Sequence, residues 1–341
     1  MAIQSASSTG PAQLLQMTTA LVTQQALYAA AKLGLADLLD GASREISELA
    51  AELNVNEPAL LRIVRLLAGQ GVFTEIAPKT FANNDVSQFL RTGVPGSVRA
   101  LVVFRGSDFF LAPFGEILYS IETGLPAREK LYGRNAFEHL KDDPEMARIF
   151  DDAMTNMSEL LAPAISRAYD FGAWGSLMDV GGGNGMLLAG ILRAHPGLRG
   201  VLADLPHVLE RARERGFLEG ELKARAAMQP CDFFLEIPPG CRAYLMKSVI
   251  HDWNDEQALR ILANCRRVVP EDGALLLAEW TLPDDNLPSV ARFVDVAMLV
   301  LTGGKERSVD EYRELLARAG FRLNRVFPVP GDFSVIEALP M

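Results

Sequence analysis

The sequence has 341 residues, of which 49% are hydrophobic and 22% are charged, and its formal net charge is −10. These values are typical of a water-soluble globular protein of about two domains, and the acidic balance argues against general binding to nucleic acid or to an anionic membrane surface. Cys231, Cys241 and Cys265 are too few for a disulfide framework and lack metal-ligand spacing. No signal-peptide pattern opens the chain, and no apolar run approaches the ~18 residues of a membrane span, so we expect a cytoplasmic protein.

The first part of the chain, from residue 12 to about 165, is predicted to be mostly helical. Its opening segment, LLQMTTALVTQQALYAAAKLGLADLL, carries apolar residues all around the helix, including Leu14, Leu21 and Leu27. Such a helix must be buried on more than one side. At a chain terminus the simplest partner is a second copy, so we predict a homodimer whose interface includes residues 12–40.

Residues 44–84 show the order helix, turn, helix, hairpin, which is typical of a winged helix. Asn56 can cap the second helix, and Pro58 is tolerated in its first turn. A winged helix suggests a DNA-binding regulator. However, the segment from Arg44 to Glu75 contains three arginines and five glutamates, and this net negative charge would repel phosphate. We therefore predict a structural or dimerisation role and keep DNA binding as the alternative.

After about residue 170, short apolar strands alternate with helices. The predicted strands lie in LMDVG, in GVLADL, before CDFF, in AYLMKSVI and in ALLLAEW. This alternation indicates an α/β fold, a parallel sheet with helices on both faces. The tail, FRLNRVFPVPGDFSVIEALP, holds two strands with no helix between them, so we expect an antiparallel last pair and seven strands in all.

The sequence thus predicts three parts. A helical, winged-helix-like dimerisation domain spans residues 1–105, connecting helices span 106–168, and a Rossmann-like catalytic domain spans 169–341.

The segment DVGGGNG follows a predicted strand and opens a helix, which is where open α/β sheets bind ligands. Its spacing is Asp179-x-Gly181-x-Gly183-x-Gly185. A dinucleotide fingerprint counted from Gly181 would need glycine where Met186 stands, which disfavours a nicotinamide oxidoreductase. The observed spacing is associated with S-adenosylmethionine (SAM) in methyltransferases, and a plain tight turn is the alternative.

Acidic residues end the next two strands. Asp204 lies 19 residues after Gly185 (204 − 185) and can accept hydrogen bonds from ribose hydroxyl groups, although an aspartate at a helix N-terminus is also physically sound. Asp232 can accept from an adenine amino group and Phe233 can pack on the ring. The alternative for these two residues is an ordinary turn with core aromatics.

His251 stands where the fourth predicted strand ends, in YLMKSVIHDWNDEQ, just before a helix that Asn254 can cap. The positive end of that helix disfavours the imidazolium form, and a general base must be neutral. Glu279 ends the fifth strand and Glu306 lies in the turn TGGKERS. Either carboxylate can orient the imidazole, as in a catalytic triad.

Six motifs in this order, DVGGGNG, ADLPHV, CDFF, MKSVIHDWNDEQ, LLLAE and LTGGKERS, carry a resemblance over nearly the whole chain. The chain resembles class I SAM-dependent O-methyltransferases of the plant caffeic-acid and flavonoid type and their bacterial natural-product relatives. The resemblance implies SAM as cofactor with S-adenosylhomocysteine as product, and a small aromatic, hydroxyl-bearing acceptor. It also implies His251 as the base, bracketed by Glu279 and Glu306.

The resemblance also assigns binding residues. Those for the cofactor are Asp179, Gly181, Gly183, Gly185, Asp204, Leu205, Asp232, Phe233, Lys247 and Trp253. Those for the acceptor are Met154 and Met298, with Phe110, Phe114, Phe150 and Leu301 as looser assignments for which core packing is an equal alternative. Cys231 departs from the family's Gly-Asp pattern, which affects the shape of that loop more than the role of Asp232.

Methyl transfer from SAM is mainly a positioning task, and the sequence shows no cluster of His, Cys and Asp, so we predict metal-independent chemistry. One further alternative is a SAM-binding relative with non-methylating, hydroxylase-like chemistry. The presence of His251, Glu279 and Glu306 together argues against it.

Overall fold

The computed structural model describes residues 10–341. The chain consists of two compact units. The first unit runs to Leu111 and includes Arg148–Asn156, and the second comprises Ala112–Ala147 and Met157–Met341. The segment predicted as connecting helices is therefore divided between the two units, and boundaries near residues 105 and 168 stay predictions.

The first unit is helical with one small sheet. Its helices are α1 Gly10–Thr18, α2 Ala20–Lys32, α3 Leu35–Leu38, α4 Ile46–Leu53, α5 Glu57–Gly69, α6 Arg99–Gly106 and α7 Asp108–Leu111. Its strands are β1 Arg44–Glu45, β2 Phe73–Ala77 and β3 Thr80–Asn83, and β3 pairs antiparallel with both others.

The helix pair and hairpin predicted from the sequence are present. The Asn56 side chain caps α5 by accepting a hydrogen bond from the backbone N–H of Ala59 at 3.0 Å, which satisfies one of the free donors of that helix end. The apolar opening segment is not one helix, because a turn at Thr19 separates α1 from α2. Large apolar side chains of this region remain exposed, among them Leu14 at 66% and Leu21 at 58%.

The second unit contains the larger sheet. Its helices are α8 Ile117–Thr123, α9 Ala127–Tyr132, α10 Ala136–Asp142, α11 Pro144–Ala168 (of which 148–156 belong to the first unit), α12 Met186–Ala194, α13 Pro206–Arg215, α14 Asp255–Arg266, α15 Val290–Leu301 and α16 Val309–Arg318. Its strands are β4 Ser176–Val180, β5 Arg199–Asp204, β6 Ala226–Pro230, β7 Ala243–Lys247, β8 Ala274–Trp280, β9 Phe321–Val329 and β10 Phe333–Pro340.

The seven strands are ordered β6-β5-β4-β7-β8-β10-β9. Neighbours from β6 to β8 pair in parallel, whereas β10 pairs antiparallel with β8 and β9. Gly331 and Asp332, with φ of 83° and 63°, form the tight turn that brings β10 back beside β9. The predicted fold class is confirmed.

Buried apolar side chains from the sheet strands fall into two separate clusters, one of which also includes residues from α12 and the other residues from α14. This burial explains the continuous apolar runs of β4, β7 and β8. All three cysteines are buried and free. Among residues 10–341, none of the helices combines the length and the apolar character that a membrane span requires.

Candidate active site

The glycine loop joins β4 to α12, and close packing accounts for two of its glycines. A Cβ added at Gly181 would lie 3.0 Å from Val249 Cγ2, and one added at Gly182 would lie 2.5 Å from Leu202 Cδ1. Gly181 also has a φ of 71°, which only glycine adopts without strain. Gly183, at φ 58°, has open space where a Cβ would be. The backbone therefore leaves room for a ligand at Gly183.

Asp204, at the end of β5, is bound to this loop. Its Oδ2 accepts a hydrogen bond from the Gly183 N–H at 2.9 Å, and its Oδ1 accepts one from the Leu205 N–H at 2.7 Å. Both carboxylate oxygens of Asp204 therefore hold backbone N–H groups at the start of the loop and of α13. The structure thus brings together the predicted residues Gly183, Asp204 and Leu205.

Asp179 is 1% exposed, and neither of its carboxyl oxygens has a hydrogen-bond partner among the described residues. Burial raises the pKa of Asp179 to about 7, while Lys247 opposes the rise and Asp204 adds to it. Burial likewise lowers the pKa of Lys247, opposed by Asp179 and Glu279. An unpartnered buried carboxyl group beside a glycine loop is suited to meet a ligand that brings positive charge.

The residues predicted to contact adenine lie together. Asp232 Oδ1 accepts a hydrogen bond from the backbone N–H of Phe234 at 2.9 Å. The rings of Phe233 and Trp253 are 6.2 Å apart at 72°, and Trp253 stacks on Phe137 at 5.4 Å and 29°. Trp253 Nε1 is buried and finds no acceptor within the described part of the chain. This aromatic group lies at the carboxyl ends of β6 and β7.

His251 lies in a single 3-10 turn after β7, where Ser248 turns the chain out of the strand with a φ of 52°. Its side chain is buried, and its Nδ1 is 2.6 Å from Oε1 of Glu306. Its Nε2 is 3.9 Å from Oδ1 of Asp252. Glu306 is 1% exposed. Burial raises the pKa of Glu306 to about 9, Asp295 adds to the rise, and Arg307 opposes it.

Glu279 is the second-last residue of the fully buried strand β8, and its side chain contacts the backbone before His251. Its Oε1 accepts hydrogen bonds from the N–H groups of Val249 at 3.0 Å and Ile250 at 2.9 Å. Its Oε2 has no partner in the described chain. Burial raises the pKa of Glu279 to about 7, with His251 opposing and Glu306 adding to the rise. The sequence left open which glutamate holds the imidazole, and the structure assigns the Nδ1 contact to Glu306.

His251, Glu279 and Glu306 each offer an atom of metal-ligand type, and these atoms lie within 4.8 Å of one another. The sequence predicted these three residues as a base with two orienting carboxylates, but it did not indicate that their atoms also have the spacing of a metal site.

Two further residues of this region carry no sequence signal except their position next to Glu306. A Cβ added at Gly304 would lie 2.0 Å from the carbonyl oxygen of His251, so the two chain segments are in direct backbone contact. Arg307 is 1% exposed and donates to backbone carbonyl groups on both sides of His251.

The residues predicted to bind the acceptor fall in both units. Phe110 and Phe150, in the first unit with Met154, each pack edge-on against the buried Phe104 ring with centroids 5.5 Å apart, which is the packing that the alternative interpretation predicted. The second unit contains Phe114, Met298 and Leu301. Their roles in acceptor binding stay predictions.

The Rossmann-like methyltransferase class is defined by a seven-stranded sheet whose second-last strand is antiparallel. It also has a glycine loop after the interior strand β4 and acidic residues at or just after the ends of β5 and β6. Within that class, the O-methyltransferase domain family matches residues 117–322, and the O-methyltransferase dimerisation domain family matches residues 15–93. The chain belongs to the O-methyltransferase family. The predicted family and enzyme class are confirmed.

Individual relatives match over nearly the whole chain. A phenazine O-methyltransferase from Lysobacter antibioticus is 39% identical over 96% of this chain and 96% of its own length. A phenazine-1-carboxylate N-methyltransferase from Pseudomonas aeruginosa is 33% identical over 95% of this chain and 96% of its own. A crystal structure of an O-methyltransferase from neocarzinostatin biosynthesis, in complex with S-adenosyl-L-homocysteine and 1,4-dihydroxy-2-naphthoic acid, has a TM-score of 0.80 at 32% identity and covers 96% of this chain and 98% of that chain.

Proposed function

We propose that this protein is a SAM-dependent O-methyltransferase that transfers a methyl group to a phenolic hydroxyl group of a small aromatic molecule. The observation that carries the proposal is the buried His251–Glu306 pair, 2.6 Å apart, at the end of β7. In the sheet, β7 is the direct neighbour of β4, which leads into the glycine loop. A relative of the same fold that was solved with S-adenosyl-L-homocysteine and a dihydroxy aromatic acid supports both the cofactor and the acceptor class.

The residues that would hold SAM fit a cationic ligand with a ribose and an adenine. Asp204 is a carboxylate bound to the glycine loop through the N–H of Gly183, as a ribose-binding residue would be, and the carboxyl group of Asp179 is buried without a hydrogen-bond partner among the described residues. Bound SAM supplies an electrophilic methyl group. The proposed binding set is Asp179, Gly181, Gly183, Gly185, Asp204, Leu205, Asp232, Phe233, Lys247 and Trp253.

His251 is proposed as the general base. Because Glu306 occupies Nδ1, the nitrogen that takes the hydroxyl proton is Nε2. In its carboxylate form, Glu306 can accept a hydrogen bond from Nδ1–H and stabilise the imidazolium that forms. Burial raises the pKa of Glu306 to about 9, so we expect this form to be fully populated only as the pH rises toward about 9.

We propose that the cluster of His251, Glu279 and Glu306 moves a proton and does not require a metal ion. Glu306 Oε1 is engaged by His251, and Glu279 Oε1 already accepts two backbone hydrogen bonds. We further propose a homodimer formed through the first unit, which the match to the dimerisation domain over residues 15–93 supports. Phe110, Phe114, Phe150, Met154, Met298 and Leu301 remain the proposed acceptor-binding residues.

The first experiment is a screen of phenols, with aromatic amines included because similar relatives include two N-methyltransferases. Mass spectrometry would detect the gain of one CH₂ with SAM present. With an accepted phenol, His251→Ala should bind SAM normally by calorimetry. Its single-turnover rate should fall about 10²- to 10⁴-fold, the loss typical of removing a general base.

The pH profile sharpens this test. The rate of the wild type should rise toward pH 9, and the deficit of His251→Ala should shrink at high pH, where a phenolic acceptor ionises unaided. His195→Ala is the matched control. His195 follows the end of α12 that lies away from the glycine loop, so this variant should keep the wild-type rate. Wild-type turnover by His251→Ala at neutral pH would refute the assignment. Activity lost to a chelator and restored by a divalent ion would refute metal independence.

A further inference from the structure

Arg307 is among the largest fully buried side chains of the protein, and its guanidinium group has five hydrogen bonds. Nε and Nη2 donate to Oδ1 of Asp255 at 3.1 and 2.7 Å. Nη1 donates to the carbonyl oxygens of Ile250 at 3.2 Å and Lys305 at 3.3 Å, and Nη2 donates to that of Trp253 at 3.0 Å. A buried charge requires such complete pairing, because removing it from water is otherwise costly.

The positions of these carbonyl groups are informative. Two of them lie on either side of His251, and the third belongs to the residue before Glu306. One rigid guanidinium group therefore fixes the backbone of both members of the His251–Glu306 pair. Gly304 adds a second constraint, since even a methyl group there would overlap the carbonyl oxygen of His251.

Glu306 has few other side-chain contacts that could fix its position. Its Oε1 contacts His251, and its Oε2 has no hydrogen-bond partner in the described part of the chain. Its backbone N–H donates to Oδ1 of Asp295 at 2.9 Å. The distance between Nδ1 of His251 and Oε1 of Glu306 must therefore be set mainly by the two backbone segments, which the hydrogen bonds of Arg307 connect.

We propose that Arg307 is a positioning residue for the His251–Glu306 pair, acting on catalysis through that pair and not through SAM binding. This inference rests on the proposed general-base role of His251. Lysine would keep the positive charge, but a single ammonium group cannot replace a planar guanidinium group that donates to acceptors on several sides.

The test is Arg307→Lys, with Arg313→Lys as the matched control because Arg313 makes an exposed ion pair with Asp310 on α16. SAM affinity by calorimetry should stay at the wild-type value in both variants. The single-turnover rate of Arg307→Lys should fall by about 10²-fold, the scale of a misplaced catalytic group, and its rise toward pH 9 should weaken. Arg313→Lys should behave as the wild type.

A double-mutant cycle separates positioning from a general structural effect. In a His251→Ala background, Arg307→Lys should cost little further rate. An equal loss in both backgrounds, or a parallel loss of SAM affinity, would overturn the proposal. A wild-type rate in His251→Ala alone would instead refute the general base. If Arg307→Lys does not fold, Asp255→Asn, which removes only the carboxylate partner, should show the same non-additive pattern with a smaller loss, and additivity there would also overturn the proposal.

Discussion

Replacing Glu279 by glutamine should remove part of the pH dependence of protein stability. Glu279 is 0% exposed, and burial raises its pKa from an ordinary 4.5 to about 7, with His251 opposing and Glu306 adding to the rise. A carboxyl group with a higher pKa in the folded than in the unfolded protein keeps its proton more tightly when folded. The free energy of unfolding therefore falls as the pH rises from 4.5 to about 7, and it stays low above that range.

The magnitude follows from the two pKa values. One pKa unit corresponds to about 1.4 kcal/mol, so the rise from 4.5 to about 7 corresponds to roughly 3 kcal/mol above pH 7. About 1 kcal/mol of this is already present at pH 5, which leaves about 2 kcal/mol between pH 5 and pH 8. For a domain of about 150–250 residues, each kcal/mol corresponds to about 2–4 °C of melting temperature, so the expected effect is about 4–8 °C.

The assay is urea and thermal unfolding at pH 5 and pH 8 without SAM. The stability of Glu279→Gln relative to the wild type should improve by about 2 kcal/mol from pH 5 to pH 8. An amide placed where Oε2 has no partner among the described residues adds a constant cost, which cancels in this difference. The exposed Glu271→Gln is the control and should show no such change. A stability difference that is independent of pH would refute the reasoning.

Two other predictions concern the cofactor and the assembly. Asp204→Ala should weaken SAM binding by roughly 1–3 kcal/mol, the scale for hydrogen bonds to a charged group, and unchanged affinity by calorimetry would remove Asp204 from the site. The double variant Leu14→Glu, Leu21→Glu should turn a dimer into a particle near the chain mass of 37.2 kDa by light scattering, because both side chains are exposed and apolar. The control Leu235→Glu should stay dimeric, and a monomeric wild type would contradict the prediction.

The sequence predicted the sheet and its order of elements because the relevant signals are local. Continuous apolar runs mark strands buried on both faces, and the helices between them show 3.6-residue periodicity. Since parallel strands share one edge for their carboxyl ends, the positions of Asp204, Asp232 and His251 follow once the strands are assigned.

Contacts between distant segments were not predictable in the same way. The choice of Glu306 over Glu279 as the partner of Nδ1 depends on how the loop after α15 approaches β7, and Gly304 and Arg307 set that approach. The sequence alone does not show whether the side chain of Arg307 is buried or exposed. The break at Thr19 was missed because apolar residues continue across it.

The carboxyl ends of the sheet strands hold an arrangement that stability alone does not explain. Burial raises the pKa values of Asp179, Asp252 and Glu279 to about 7 and that of Glu306 to about 9, each of which makes folding less favourable at neutral pH. Carboxyl oxygens of Asp179, Glu279 and Glu306 in the same region have no hydrogen-bond partner among residues 10–341. Such a cost persists where function requires it. In the proposed reaction a sulfonium cation must bind beside a base that gains a proton, and both steps bring positive charge to this edge. The buried carboxyl groups of this edge are therefore best understood as matched to the reacting state and not to the free protein.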